Sequence, residues 1–255
     1  MITIGADPEL FLVDKEGIFK SAINLIGGSK RFPKMIREDG CALQEDNVAV
    51  EFNIPPSNDI ERFVEAINFN LASIEELVRE KGLSLSITAS AQFDKSQLKS
   101  KAAREFGCDP DYNAWTRRIN PRPKSADKSL RSAGGHIHIQ TIHNPFHMAR
   151  AMDLFVGVPS VLMDEDVRRR ELYGKAGACR PKDYPGVEYR AVSNFWLKSD
   201  ELKRWAFDST QRAHEWLTEH GEEFDYLEAE SERIQECINT SNKPLAEQIM
   251  RDYGI

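Results

Sequence analysis

The chain has 255 residues, 40% of them hydrophobic and 29% charged, with a net charge of −7. That is enough for one large domain or two small ones with a full core, and thirteen Phe and four Trp exclude a disordered polymer. No apolar run approaches the roughly 20 residues that cross a bilayer, and the opening MITIGADPEL lacks the basic-then-apolar pattern of a secretory leader.

In chain order, residues 2–13 (ITIGADPELFLV) read as one strand ended by the turn Asp14-Lys15-Glu16-Gly17, with residues 18–23 as its hairpin partner. Gly27-Gly28-Ser29 opens a loop, and a second hairpin leads to Val48–Asn53, stopped by Pro55-Pro56. Asn58 with Glu61 reads as a capping box. The helix it starts places Ile60, Phe63, Val64, Ile67, Leu71, Ile74, Leu77 and Val78 on one face, and Gly82 stops it. Leu83, Leu85, Ile87, Ala89 and Ala91 alternate with small polar residues as a half-buried strand. Residues 95–131 carry 10 basic and 4 acidic residues and read as a short helix and a long loop, the kind of excursion that often serves function. Their charge could attract a polyanion, but on charge alone a solvated surface is the preferred reading. GGHIHI (134–139) reads as a strand, 145–171 as helix divided at Pro159, 174–186 as a loop, and 187–196 as the last strand. Everything after Ser199 reads as helix. This tail, residues 197–255, has 14 acidic and 7 basic residues and so carries the whole net charge. Hairpins and long excursions rather than regular βαβ units favour an α+β fold with a mainly antiparallel sheet.

Four strands carry ionisable residues at same-face spacing. Asp7 and Glu9 are two apart, as are His136 and His138, and Glu188 and Arg190, while Glu51 lies alone in VAVEFN. Buried charges must be paired or bind metal. If the strands are neighbours, they form a wall of carboxylates, imidazole and arginine suited to hard divalent cations and the phosphates bridged to them. Each residue has a plainer reading: Asp7 as a turn carboxylate, a lone His as a core residue, Glu188–Arg190 as an ion pair, Tyr184 and Tyr189 as packing. The repeated pairs together favour a site. His143 and His147 do not make a zinc HExxH, and Arg168-Arg169-Arg170 reads as a solvated helix end. The glycine-rich basic stretch from Tyr173 through Lys175 to Arg180 suits a loop closing over phosphates. P-loop and Rossmann motifs are absent from the sequence. Cys41, Cys108, Cys179 and Cys237 are scattered without CxxC spacing, so reduced thiols in a cytoplasmic protein are expected.

The order of GADPELFLVD (5–14), LQEDNVAVEFNIPP (43–56), GGHIHI (134–139) and YGKAGACRPKDYPGVEYRAVSNFW (173–196) resembles the carboxylate–amine ligases of the glutamine synthetase and γ-glutamylcysteine ligase superfamily. The likeness is greatest to the phage-encoded type 2 COOH–NH2 ligases. The resemblance implies a curved, mainly antiparallel sheet with helices on its convex side, like the glutamine synthetase catalytic domain. A catalytic core over 1–196 would carry the helical tail, 197–255, packed on the same domain. It implies ATP and two or more Mg²⁺ or Mn²⁺ ions on the concave face. Glu9, Asp7, Glu51, His138 and Glu188 match metal ligands, with a second acid before Glu51 left open among Gln44, Glu45, Asp46 and Asn47. His136, Lys175, Arg180 and Arg190 match nucleotide-facing positions, and Arg190, Arg180 and Glu188 the catalytic ones. The reaction implied is phosphorylation of a carboxylate by ATP and attack of an amine on the acyl phosphate, giving an amide, ADP and phosphate. The partners implied are a small-molecule or peptide acid and an amine, without a membrane. The oligomeric state stays open. Two alternatives are a metal-dependent phosphoesterase using the same wall to activate water, and a non-catalytic relative that binds nucleotide or nucleic acid.

Overall fold

The first expected strand breaks at Asp7-Pro8. A computed structural model, describing residues 2–104, 111–121, 127–221 and 225–255, divides it into β1 (Thr3–Ala6) and β2 (Glu9–Val13), which enter different sheets. Pro8 has no N–H to continue a ladder. β3 (Phe19–Lys20) is the short hairpin partner of β2, and β4 (Lys34–Met35) forms a sheet edge. β5 (Ala42–Asp46) and β6 (Ala49–Asn53) form the second hairpin. Helix α1 (Ile60–Arg79) is capped by Asp59, not Asn58: the Asp59 carboxylate accepts from the N–H groups of Glu61 and Arg62. Its buried face includes Phe63, Val64, Ile67, Ile74 and Val78, each worth roughly 1.5–3 kcal/mol in apolar burial. It ends at Arg79, and Gly82 follows with φ 71°.

The segment expected as one alternating strand forms two, β7 (Ser84–Ser86) against β2 and β8 (Ser90–Gln92) in a separate ladder. The expected loop over 95–131 is more structured than its sequence suggests. It holds a 3₁₀ turn (Lys95–Leu98), α2 (Lys101–Arg104), β9 (Tyr112–Asn113), β10 (Arg118–Ile119) and β11 (Leu130–Ser132), the partner of β8. Cys108 lies outside the described residues; Cys41, Cys179 and Cys237 are buried free thiols. β12 (Ile137–Gln140) is followed by α3 (Pro145–Met152), a π turn (Asp153–Gly157) and α4 (Val158–Met163). The helical run passes from the π turn into α4 with Gly157 and Val158 both helical, and Pro159 is the second residue of α4. After α5 (Arg169–Leu172), the supposed loop 174–186 contains β13 (Ala178–Pro181). β14 (Gly186–Tyr189) is shorter than expected, since Asn194–Lys198 turns into 3₁₀. The tail is α6 (Asp200–His220), α7 (Asp225–Ala229), α8 (Ser231–Thr240) and α9 (Lys243–Tyr253). No helix among the described residues is long and apolar enough to cross a membrane.

The fold is α+β. One antiparallel sheet runs β1-β12-β14-β13-β9-β10, and another β3-β2-β6-β5-β4. They join where the chain passes from β1 to β2, and where Ile4 and Ser57 exchange backbone hydrogen bonds and Ile54 N–H donates to the Ala6 carbonyl. The result is one curved wall. Ile137, Ile139, Val187 and Tyr189 point to its helix-covered side, against which α3 packs beneath β13 and β14. α6 packs against α1 and α3, so the tail shares the main core.

Candidate active site

Strand register assembles the ionisable residues row by row. Gly5 lies opposite His138, His138 opposite Glu188, and Glu188 opposite Arg180. Two residues along the same face come Asp7, His136 and Arg190. In the second sheet Glu9 lies opposite Glu51 and Glu51 opposite Gln44, with Asp46 two residues on from Gln44. Asp7 and Glu9 therefore do not share a strand face. The break at Pro8 sends Asp7 to one group and Glu9 to the next.

The first group is Asp7, His138 and Glu188, and the second Glu9, Asp46 and Glu51; within each, one ligand atom per residue lies within 4.8 Å of the others. The Asp7 Oδ1 and His138 Nε2 atoms stand 2.9 Å apart without the alignment of a hydrogen bond. His136 Nδ1 is 3.5 Å from Asp7 Oδ1 and 3.7 Å from Glu188 Oε1. Buried Glu188 is ringed by cations: Lys182 Nζ at 2.5 Å, Arg180 Nη1 at 3.2 Å, and Arg190 Nη1 in direct contact. In the second group Gln44 Nε2 donates to Glu51 Oε1 at 2.7 Å, and the Gly134 N–H donates to Glu9 Oε2 at 2.7 Å. A Cβ on Gly134 would lie 2.2 Å from His136 Nε2, so the glycine leaves room for the imidazole ring where it stands.

Electrostatics separate the groups. Burial raises Glu9 to about 7, helped by Asp46 and opposed by the Gly134 N–H. Burial also raises Glu51 well above the usual range, and the negative charges of Asp7, Glu9 and Asp46 add to it. In the first group burial acts the same way but loses. The adjacent His138 and His136 imidazoles hold Asp7 well below its usual value, and Arg190 leads in bringing Glu188 down to about 2. Burial and the Arg190 charge depress His136 to about 4, so its imidazole is neutral at pH 7. An acid group with an excess of like charge, beside a second in which Asp7 Oδ1 and His138 Nε2 stand face to face without a hydrogen bond, forms a donor set that fits divalent cations.

A cavity of about 170 Å³ adjoins this wall. Glu9, Asp46, His136 and Arg190 line one side, and Asp111, Arg131, Arg169, Tyr173 and Phe11 are among the residues closing it. The run Arg168-Arg169-Arg170 is not a solvated helix end beyond Arg168. Arg169 is 3% exposed, donating to the carbonyls of Ala191 and Arg190, and Arg170 is 4% exposed, donating to Ser160 and Ser241. Helix packing buries both, and a charge run carries no signal of that.

Asp7, Glu9, Glu51, His136, His138, Arg180, Glu188 and Arg190 thus converge on one face. Lys175 is exposed and is not among the residues lining the cavity. Among the four residues before Glu51, Asp46 joins the acid group and Gln44 supports Glu51, while Glu45 holds the backbone N–H groups of Asn24, Ile26 and Gly27. Asn47 takes the left-handed turn position, φ 58°. Sequence reasoning missed Asp111 and gave Lys182 no role. The strand that follows Asp111, β9, has only two residues and leaves no periodicity to read. Lys182, two residues after Arg180, shares its face, a signal that becomes visible once 178–181 is recognised as a strand.

A family model described as phage phiEco32-like COOH.NH2 ligase-type 2 matches residues 124–251. No curated protein matches the chain. Among solved structures, the chain is similar over 99% of its length to 70% of the protein in "GmaS/ADP complex-Conformation 1", at 11% identity and a TM-score of 0.43. It is also similar, over 99% of its length, to 69% of the protein in "Apo GmaS without ligand", at 12% identity and a TM-score of 0.46. A third, "Crystal structure of novel glutamine synthase homolog", shares 10% identity over 98% of this chain and 66% of that one, with a TM-score of 0.42.

Proposed function

The chain belongs to the phage phiEco32-like COOH.NH2 ligase-type 2 family, and from that premise we propose that it joins a carboxylate to an amine at the expense of ATP, through an acyl phosphate. The observation that carries the reading is the pair of adjacent ligand groups on one sheet face, with three cations around Glu188 and a cavity beside them.

In this reading Asp7, His138 and Glu188 hold one Mg²⁺ or Mn²⁺ ion, and Glu9, Asp46 and Glu51 another. Such ions supply charge neutralisation for a triphosphate and its transferring phosphoryl group. Arg180, Lys182 and Arg190 are now drawn to Glu188, and they face the phosphates once its charge is shared with a cation. Arg190, bridging Glu188, His136 and Asp111, is placed to steady the phosphoryl group in flight. The acid occupies the cavity with its carboxylate toward the wall. Its oxygen attacks the γ-phosphorus, releasing ADP, and the amine then displaces phosphate to leave the amide. Asp111, a cavity carboxylate outside both groups, would bind the incoming ammonium and accept the proton it must lose before the free amine attacks. Residues 1–196 form the core of this machinery. The family match crosses Trp196 into the tail, which supports treating α6–α9 as part of the same catalytic unit.

The test is a screen of acid and amine pairs with ATP and Mg²⁺, scored by ADP release and by the mass of the product. One pair giving ADP and amide in equal amounts supports the reading. ADP release that never depends on an acid would refute it.

A further inference from the structure

A buried carboxylate on the opposite, helix-covered side of the wall takes no part in that chemistry. Asp153, fully buried, is the first residue of the π turn between α3 and α4. Its Oδ2 accepts from Trp115 Nε1 at 2.6 Å and its Oδ1 from the Tyr189 hydroxyl at 2.7 Å, and the Gly177 N–H faces it. These three groups lie on three different strand units, and each unit carries a residue of the site. Trp115 sits in the turn between β9 and β10, four residues after Asp111. Gly177 precedes β13 and lies three residues before Arg180. Tyr189 stands between Glu188 and Arg190 in β14, on the reverse of their face.

The approach of both rings is built into the chain. A Cβ on Gly157 would lie 2.6 Å from the Tyr189 hydroxyl, and one on Gly177, at φ 73°, 2.7 Å from Trp115 Cδ1. An apolar side chain at 153 would leave two buried donors unmet. Asp153 opens a π turn, and such turns gather at functional sites.

We propose that Asp153 is a positioning residue: it ties the β9–β10 turn, the start of β13 and β14 together from behind, and so holds Asp111, Arg180, Glu188 and Arg190 in register around the cavity. The identity of the reaction rests on the ligase reading; the tie itself rests on the hydrogen bonds. A backbone shift at Tyr189 is shared by its chain neighbours Glu188 and Arg190, and a shift of 1 Å at reacting groups costs about 100-fold in rate.

The experiment compares Asp153→Asn with Asp153→Ala by crystallography and by steady-state kinetics with ATP. Asparagine keeps both contacts, since its carbonyl accepts from Trp115 and its amide donates to the Tyr189 oxygen. Asp153→Asn should therefore retain kcat within about 3-fold, while Asp153→Ala loses roughly 100-fold in kcat with little change in KM. In the alanine crystal the Glu188 carboxylate should lie displaced from Asp7 and His138. If Asp153→Ala does not fold, Tyr189→Phe should give a smaller kcat loss of the same kind. A folded alanine variant with wild-type kcat and an unmoved Glu188 overturns the proposal, as does an asparagine variant as impaired as alanine. If the wild-type chain turns over no acid and amine at all, the ligase reading fails, and the position of Glu188 in the alanine crystal alone decides the tie.

Discussion

Glu51 meets three other carboxylates inside the fold, so in the absence of cations it works against stability. Burial, then Asp7, Glu9 and Asp46, raise its proton affinity, and the Gln44 amide opposes them. Glu51→Gln keeps the shape and removes the charge. At pH 8 in EDTA the variant should melt higher than the wild type, by roughly 2–4 °C for each kcal/mol of repulsion removed. The same change should weaken Mn²⁺ binding by about tenfold or more, measured by titration calorimetry. A lower melting temperature in EDTA, or unchanged Mn²⁺ affinity, would contradict the assignment. Arg190 has the opposite signature. Its fork reaches Glu188, His136 Nδ1 at 3.4 Å and Asp111 Oδ2 at 3.6 Å, a geometry that lysine cannot copy. Arg190→Lys should lower ATP turnover by roughly 100-fold, as the loss of a transition-state donor does, while Mn²⁺ still binds. Turnover at the wild-type rate would make Arg190 a structural partner of Glu188. At this scale the sequence was most readable where polar residues interrupt apolar strands at a period of two, as in GGHIHI and VEYR. Asp46 was less so: four consecutive polar residues preceded Glu51, and only the pairing of Gln44 with Glu51 fixes which of them shares its face.

Among the elements, the π turn at Asp153–Gly157 has a measurable signature in solution. Burial lifts Asp153 from 3.8 to about 7, against the hydrogen bonds from Tyr189 and Trp115 and the Arg150 charge. Between these values the folded chain holds a proton that the unfolded chain has released. The stabilisation from this group is thus complete below about pH 4 and is lost as pH rises through about 7. Asp153→Asn lacks the titration. Its stability relative to the wild type should therefore rise from pH 4 to pH 7 and stay level above, measured by urea unfolding at each pH. A difference independent of pH would show Asp153 to titrate normally. The π turn itself left no mark in the sequence, where Pro159 was the visible divider. Helix α1 was legible because its apolar period runs through 20 residues. β9 and β10 have two residues each, and β13 follows a glycine-rich stretch, so neither presents enough of a period to read. Pro8 inside an otherwise strand-like run is where the reading of β1 and β2 as one element failed. Backbone pairing of Glu9 N–H with the Gly134 carbonyl, and of Asp7 N–H with that of His136, lets the chain cross between sheets there.

At the scale of the whole molecule, two sheets act as one wall because β1 belongs to the first and β2 to the second, with a single proline between them. That places an acid group of low proton affinity, Asp7 and Glu188 with His138, beside one of high proton affinity, Glu9, Asp46 and Glu51. The fold class and the convergence of four strands were legible from the order of motifs. The partition into two groups was not, because it depends on a change of sheet that same-strand spacing cannot encode. The family match begins at residue 124, so the acids of β2, β5 and β6 enter the site by geometry rather than by that match. The central claim is that this wall transfers the γ-phosphoryl group of ATP to a carboxylate, and the fate of oxygen tests it most directly. A carboxylate substrate labelled with ¹⁸O in both oxygens should deliver one labelled atom to inorganic phosphate for each amide formed, with ADP as the co-product. Phosphate that takes its new oxygen from labelled water, or label recovered in AMP with release of pyrophosphate, would contradict it.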